Sequence, residues 1–139
     1  MYIGLDLGTK SLGIALSDTL GIVHGHENYN FPEFYYKKAR EHVLEIAHKE
    51  DIKNIVLGYP LHMSGEISDR AKSCLRFKDD MLKDNPNLNI VMVDERLTTV
   101  EANERMIEMN VSSKRRKEII DMVSAIIILE TYLNKLEKK

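Results

Sequence analysis

Apolar residues come in short dense runs near the start of the chain and in wider, spaced patterns further along. The first apolar run ends at the acid Asp6 and a second follows Ser11, both β-prone and of strand length, and Gly8-Thr9-Lys10-Ser11 between them has the composition of a hairpin turn. Gly21 to Phe31 carries enough Val, Tyr, Phe and His for a third strand, after which Pro32 opens a helix expected to run to about Glu50. Ile52 to Gly58 is a short apolar strand ending at glycine. Ser68-Asp69 caps a helix to about Leu82, Asp84 to Asn87 makes a turn, and Leu88 to Val93 is a further strand. Thr98 to Glu101 fits a capping box for a short helix to about Met109; Asn110 to Ser113 breaks it, and a long helix fills Lys114 to about Glu137.

Three antiparallel strands followed by strands alternating with helices predict an α/β domain, a mixed sheet flanked by helices. With 139 residues, 43% of them hydrophobic and 30% charged, residues 1–139 are expected to form a single domain around one core. No window approaches the roughly 18 uninterrupted apolar residues of a membrane span, and Asp6 interrupts the first apolar run too early for a signal peptide. The expectation is a cytoplasmic protein without a membrane partner. Cys74 is the only cysteine, which excludes an internal disulfide and a thiolate metal site and fits a buried helix position. The net charge of −2 means that any basic binding surface must be local.

In such a sheet the loops after the carboxyl ends of the parallel strands share one rim, where ligands bind. Asp6 ends the first strand, the Gly58 loop follows the fourth, and Asp94-Glu95 follows the fifth. Asp121 lies within the most apolar helical stretch and shares a face with Ser124, Ala125 and Ile128, small or apolar residues that suit close packing on the sheet. Together Asp6, Asp94 or Glu95, and Asp121 suit hard divalent ions, Mg2+ or Mn2+, which prefer carboxylate oxygen and support phosphodiester hydrolysis. A purely structural reading has Asp6 capping its turn and Asp121 pairing with Lys117 or Arg116 on a solvated edge. His24, His26, His42, His48 and His62 form no zinc pattern.

Four ordered segments carry a family resemblance. They are Asp6-Leu7-Gly8-Thr9-Lys10-Ser11-Leu12-Gly13 running on to Asp18, Leu57-Gly58-Tyr59-Pro60 running on to Glu66, Asp94-Glu95-Arg96 running on to Ala102, and Lys114-Arg115-Arg116-Lys117 leading to Asp121. In this order and spacing the chain resembles the YqgF/RuvX family, Holliday-junction-resolvase-like nucleases of the ribonuclease H fold that are also linked to maturation of bacterial pre-16S ribosomal RNA. The resemblance implies a five-stranded mixed sheet with its first three strands antiparallel. It also implies that Asp6, Glu95 and Asp121 are the catalytic and metal-holding acids, with Asp94 beside Glu95, and that Arg96 is the motif arginine. This chain departs from the family pattern at Ser11, where arginine is frequent, and at His62 and Ser64, where asparagine and aspartate are common.

The function expected is that of a metal-dependent nuclease acting on precursor ribosomal RNA or branched DNA, with pre-ribosomal particles as a further partner. Lys10, Arg96, Lys114, Arg115 and Arg116 are the expected phosphate contacts. The aromatic cluster Phe31, Phe34, Tyr35 and Tyr36 is expected to pack the first long helix onto the sheet, base stacking being the alternative. Junction cleavage calls for a homodimer, whereas trimming an RNA end needs only a monomer. Two other classes fit the same residues. One is a non-catalytic RNA- or ribosome-binding module that retains the acids. The other is a nucleotide-binding protein of the actin and sugar-kinase type, which Asp6-Leu7-Gly8-Thr9 resembles but which needs a second large half.

Overall fold

The computed structural model describes residues 1–60, 68–95 and 98–137. His62, Ser64, Arg96, Lys138 and Lys139 therefore lie outside the described residues. The elements run β1 (Tyr2–Leu7), β2 (Ser11–Ser17), β3 (Val23–Asn30), α1 (Tyr36–Lys49), β4 (Asn54–Tyr59), α2 (Asp69–Asp84), β5 (Asn89–Asp94), α3 (Thr98–Glu108) and α4 (Ser113–Glu137). They build a five-stranded sheet in the order β3-β2-β1-β4-β5. β1 to β3 are antiparallel neighbours, and β4 runs parallel to both β1 and β5. The alternation of antiparallel and helix-linked strands predicted from the sequence is the observed topology.

Side chains alternate between the two faces with the period of the pleat. Ile3, Leu5 and Leu7 of β1, with Leu12, Ile14 and Leu16 of β2 and Ile55 and Leu57 of β4, form the main core with Val43 of α1 and Phe77 and Met81 of α2. The opposite face carries small residues, and α4 lies on it through Ala125, Ile128 and Leu129, which meet Ala15, Val56 and Val93. α3 flanks α4, with Ala102 and Met106 against Val123 and Ile127. The close approach of α4 has a specific cause at Gly13, where a Cβ would stand 1.8 Å from the backbone carbonyl oxygen of Asp121. One strand further out, Asn28 of β3 accepts a hydrogen bond from the Met122 backbone N–H at 3.0 Å, which holds α4 at this height.

Element ends follow local chemistry. Ser68 caps α2 by accepting from the Ala71 N–H at 3.0 Å, and its own hydroxyl donates to the Pro60 carbonyl at 2.6 Å. The first helix differs from expectation, since it begins at Tyr36 and not at Pro32. Phe34 has φ 64, and its N–H donates to the Thr9 carbonyl at 2.7 Å, so Pro32 to Tyr35 form a turn tied to the β1–β2 connection. The aromatic cluster is divided in consequence. Phe31 is buried and Tyr36 packs against the core, while Phe34 and Tyr35 are 63% and 54% exposed, so only half of the cluster performs the packing expected of it. Among the described residues no helix is long and apolar enough to cross a membrane.

Candidate active site

Asp6 is the next-to-last residue of β1 and points to the α4 face, opposite Leu5 and Leu7; it is only 5% exposed. Glu95 stands just past β5, where its N–H donates to the Tyr59 carbonyl at 3.2 Å and prolongs the β4–β5 ladder by one residue. That extra pairing fixes the pleat. Val93 and Glu95 share the α4 face, and both are buried, whereas the side chain of Asp94 is exposed on the other. The adjacent acids, indistinguishable in a loop, are separated by one step of the strand.

β4 lies between β1 and β5, and strands are spaced at about 4.8 Å, so a β5 carboxylate must reach over β4 to meet Asp6. Gly58 makes this reach possible. A Cβ there would lie 2.6 Å from Glu95 Oε2 and 2.6 Å from the Ile128 Cδ1. Glu95 thus passes over the bare backbone of Gly58, and its carboxyl interacts directly with that of Asp6.

Two acids this close, both buried, resist ionisation. Burial pushes the Glu95 carboxyl up to about 9, reinforced by the Asp6 charge and by its contact with Asp6. Burial likewise raises Asp6 to about 6, partly opposed by its bond with Glu95 and by the Arg70 guanidinium. Without a cation the pair holds a proton. Glu95 Oε1 is buried with no hydrogen-bond partner among the described residues. The Ser124 hydroxyl favours the charged form of Asp6, yet it makes no complete hydrogen bond among the described residues and acts as a nearby dipole.

Asp121 enters from α4, half-buried, and accepts a hydrogen bond from the Ser11 hydroxyl of β2. Its charge reaches both Asp6 and Glu95. Asp121 is bound to neither Lys117 nor Arg116: Arg116 donates to the Val111 carbonyl at 3.0 Å. The structure therefore brings Asp6 and Glu95 into contact and places Asp121 within electrostatic range. Among the described residues, however, no three His, Cys, Asp or Glu side chains converge closely enough to cage one ion. The donor set nonetheless fits a hard divalent cation, being all carboxylate oxygen with one buried oxygen unsatisfied and a proton held for want of positive charge.

Of the expected phosphate contacts, Lys10 is exposed in the β1–β2 turn and Lys114 in the first turn of α4. Arg115 pairs with Glu118 at 3.2 Å, and Arg116 is engaged at Val111, so neither is held toward the acids. Two site residues went unrecognised in the sequence. Arg70, in the first turn of α2, donates to the Leu7 carbonyl at 2.9 Å and lies 3.9 Å from Asp6. Ser11, legible only as a departure from the family pattern, orients Asp121. Nothing in the spacing of Arg70 signals this role, because it depends on where α2 docks. Cys74 is buried with its thiol pushed up to about 12 by burial and the Glu95 charge, consistent with a core position. His42 stacks on Tyr29 at 3.9 Å and pairs with Glu27 at 2.6 Å, away from the acids.

The model of the RuvX family, described as Holliday junction resolvase, matches residues 1–135. A relative from Staphylococcus carnosus is 38% identical over 136 residues, 97% of this chain and 96% of its own, and is named "Putative pre-16S rRNA nuclease". A Geobacillus relative of the same name is 38% identical over 133 residues, 95% of this chain and 96% of its own. Thermus thermophilus RuvC, solved with a Holliday junction substrate, superposes with a TM-score of 0.59 over 99% of this chain and 95% of that one at 11% identity. That likeness is one of fold, the ribonuclease H-like fold. With nearly its whole length matched by the family model and by relatives at this identity, the chain belongs to the RuvX family.

Proposed function

We propose that the chain is a divalent-metal-dependent endonuclease that cuts structured nucleic acid, trimming the end of precursor 16S ribosomal RNA or resolving branched, junction-like DNA. The observation that carries this reading is the buried Asp6–Glu95 pair, whose ionisation is suppressed and whose Oε1 oxygen lacks a partner among the described residues. A structural role alone gives no reason to bury two repelling carboxyls at the rim of the sheet. In this proposal Asp6, Glu95 and Asp121 hold Mg2+ or Mn2+, which supplies a water of lowered pKa and neutralises charge developing on the phosphate. Ser11 holds the Asp121 carboxylate in one orientation, and Arg70 offsets part of the negative charge around Asp6. Lys10, Arg96 and Lys114 would position the phosphate backbone, while Arg115 and Arg116, engaged at Glu118 and Val111, would meet it further from the acids.

Junction resolution requires two symmetric cuts and hence a homodimer, while a monomer suffices for an RNA end. A precursor RNA substrate would place the work in the cytoplasm and in contact with pre-ribosomal particles. The test is a cleavage panel of labelled pre-16S ends, four-way junction, duplex DNA and single-stranded RNA with Mg2+, Mn2+ or chelator. The expected result is divalent-dependent cutting of a structured substrate that Asp6→Asn abolishes. Cutting that survives chelation, or full activity in Asp6→Asn, overturns the proposal.

A further inference from the structure

We propose that the groove between α1 and α2 is a second binding site, which takes a single-stranded nucleic-acid segment leading away from the acids; this rests on the nuclease reading above. A cavity of about 500 Å3 opens between the start of α1 and the outer face of α2. Lys37, Lys72 and Arg76 line it, all exposed, and no ion pair is formed by them among the described residues. Arg40 is already balanced by Asp80 at 3.7 Å and Asp84 at 3.5 Å. Asp69 is the other acid of the lining, so a local positive excess stands on a chain of net charge −2.

Phe34 and Tyr35 also line this groove. Both rings are more than half exposed, and the Phe34 backbone is held at φ 64, where an aromatic residue is strained. The bond from the Phe34 N–H to the Thr9 carbonyl keeps the strained turn in place and anchors it to the loop that follows Asp6. Arg70 links the groove to the acid site. A shallow depression lined by Thr9 and Arg70 shares Tyr36 and Ser73 with the groove, and Arg70 lies beside Asp6. Lys72 and Arg76, four residues apart, share one face of α2 and stand about 6 Å apart along its axis.

Exposed rings together with spaced cations match the chemistry of a splayed single strand, in which bases stack and phosphates are neutralised. An acidic peptide would use the cations and leave the rings without a role. The function inferred is to hold the single-stranded flank of the substrate while the acids act on the adjoining bond.

Binding of a short labelled single-stranded RNA is measured across a salt series, alongside cleavage of the best substrate from the panel above. Phe34→Gly, which removes the ring and relaxes the left-handed backbone, should weaken binding between about 5-fold and about 100-fold. Lys72→Gln with Arg76→Gln should lower the slope of log affinity against log salt by about 1.4. Unchanged affinity in Phe34→Gly and an unchanged slope in the double variant, with thermal melts at the native value, overturn the groove while leaving the nuclease reading intact. Loss of binding through the cations alone, matched by equal affinity for polyglutamate, also overturns it and assigns the groove to an acidic protein segment. If Asp6→Asn still cuts, the nuclease reading fails on its own, and the binding measurements still decide the groove.

Discussion

Replacing Gly58 by alanine tests the geometry of the acids with one methyl group. The new Cβ would stand 2.6 Å from Glu95 Oε2, so the carboxylate must retreat by about 0.8 Å to reach the 3.4 Å at which ordinary contact begins. The obstacles are the ends of two side chains, Glu95 and Ile128, and both can move without the backbone following. The expected stability loss is therefore that of mild overpacking, about 1 to 3 kcal/mol. Turnover should suffer more, because a shift approaching 1 Å in a reacting constellation costs on the order of 10- to 100-fold. Gly13→Ala supplies the contrast. Its Cβ would meet the Asp121 carbonyl oxygen at 1.8 Å, so the backbone of α4 itself must withdraw by about 1.6 Å to make a 3.4 Å contact, and stability should fall further than in Gly58→Ala. The assay is the divalent-dependent cleavage rate at saturating substrate, read beside thermal melts. Wild-type turnover in a folded Gly58→Ala protein would refute the passage of Glu95 over β4 as the basis of the site.

Both carboxyls titrate higher in the folded chain than their ordinary values, Glu95 moving from 4.5 to about 9 and Asp6 from 3.8 to about 6. As pH rises through this window the unfolded chain ionises first, so metal-free stability should be greatest below about pH 4 as far as this pair is concerned and decline toward pH 9. Glu95→Gln should flatten that decline in urea melts across pH, and an unaltered profile would show that the pair is not its source. Ser11→Ala should lower turnover by about 10-fold or more, as expected for losing a hydrogen bond to a charged group, with KM little changed and recovery in Ser11→Thr. A KM effect alone would make Ser11 a substrate contact. Arg70→Gln removes a charge that holds the Asp6 pKa down, so the acidic limb of the pH–rate profile should move to higher pH; an unmoved limb would exclude Arg70 from the site.

The fold was legible because its apolar runs, turn residues and helix caps are local signals. Two β-prone apolar runs around Gly8-Thr9-Lys10-Ser11 gave the β1–β2 hairpin, and Ser68-Asp69 gave the start of α2. The start of α1 was not legible. Pro32 is a sound helix opener locally, but the bond from Phe34 to Thr9 joins segments distant in sequence, and it holds Phe34 in a conformation that no propensity favours. The division of the aromatic cluster follows from that same contact.

The candidate site was legible as a set of residue types and illegible as a geometry. Asp6, the Asp94-Glu95 pair and Asp121 stand out by ending strands or interrupting an apolar helix, with Glu95 favoured over Asp94 only by the family resemblance, yet what brings Asp6 and Glu95 together is an absence, the missing side chain of Gly58 on the strand between them. The basic run shows the same limit. Four cations before Asp121 read as one patch, but a helix distributes them: Lys114 and Lys117 stand seven and four residues before Asp121 and share its face, while Arg115 and Arg116 turn aside to Glu118 and Val111. A cation run at a helix start opposes the dipole, and the first turn of α4 holds no acid to relieve it. The two arginine contacts relieve part of that strain locally, so positive charge facing the acids falls to the lysines of this helix and to Arg70, supplied from the opposite side of the sheet by the docking of α2.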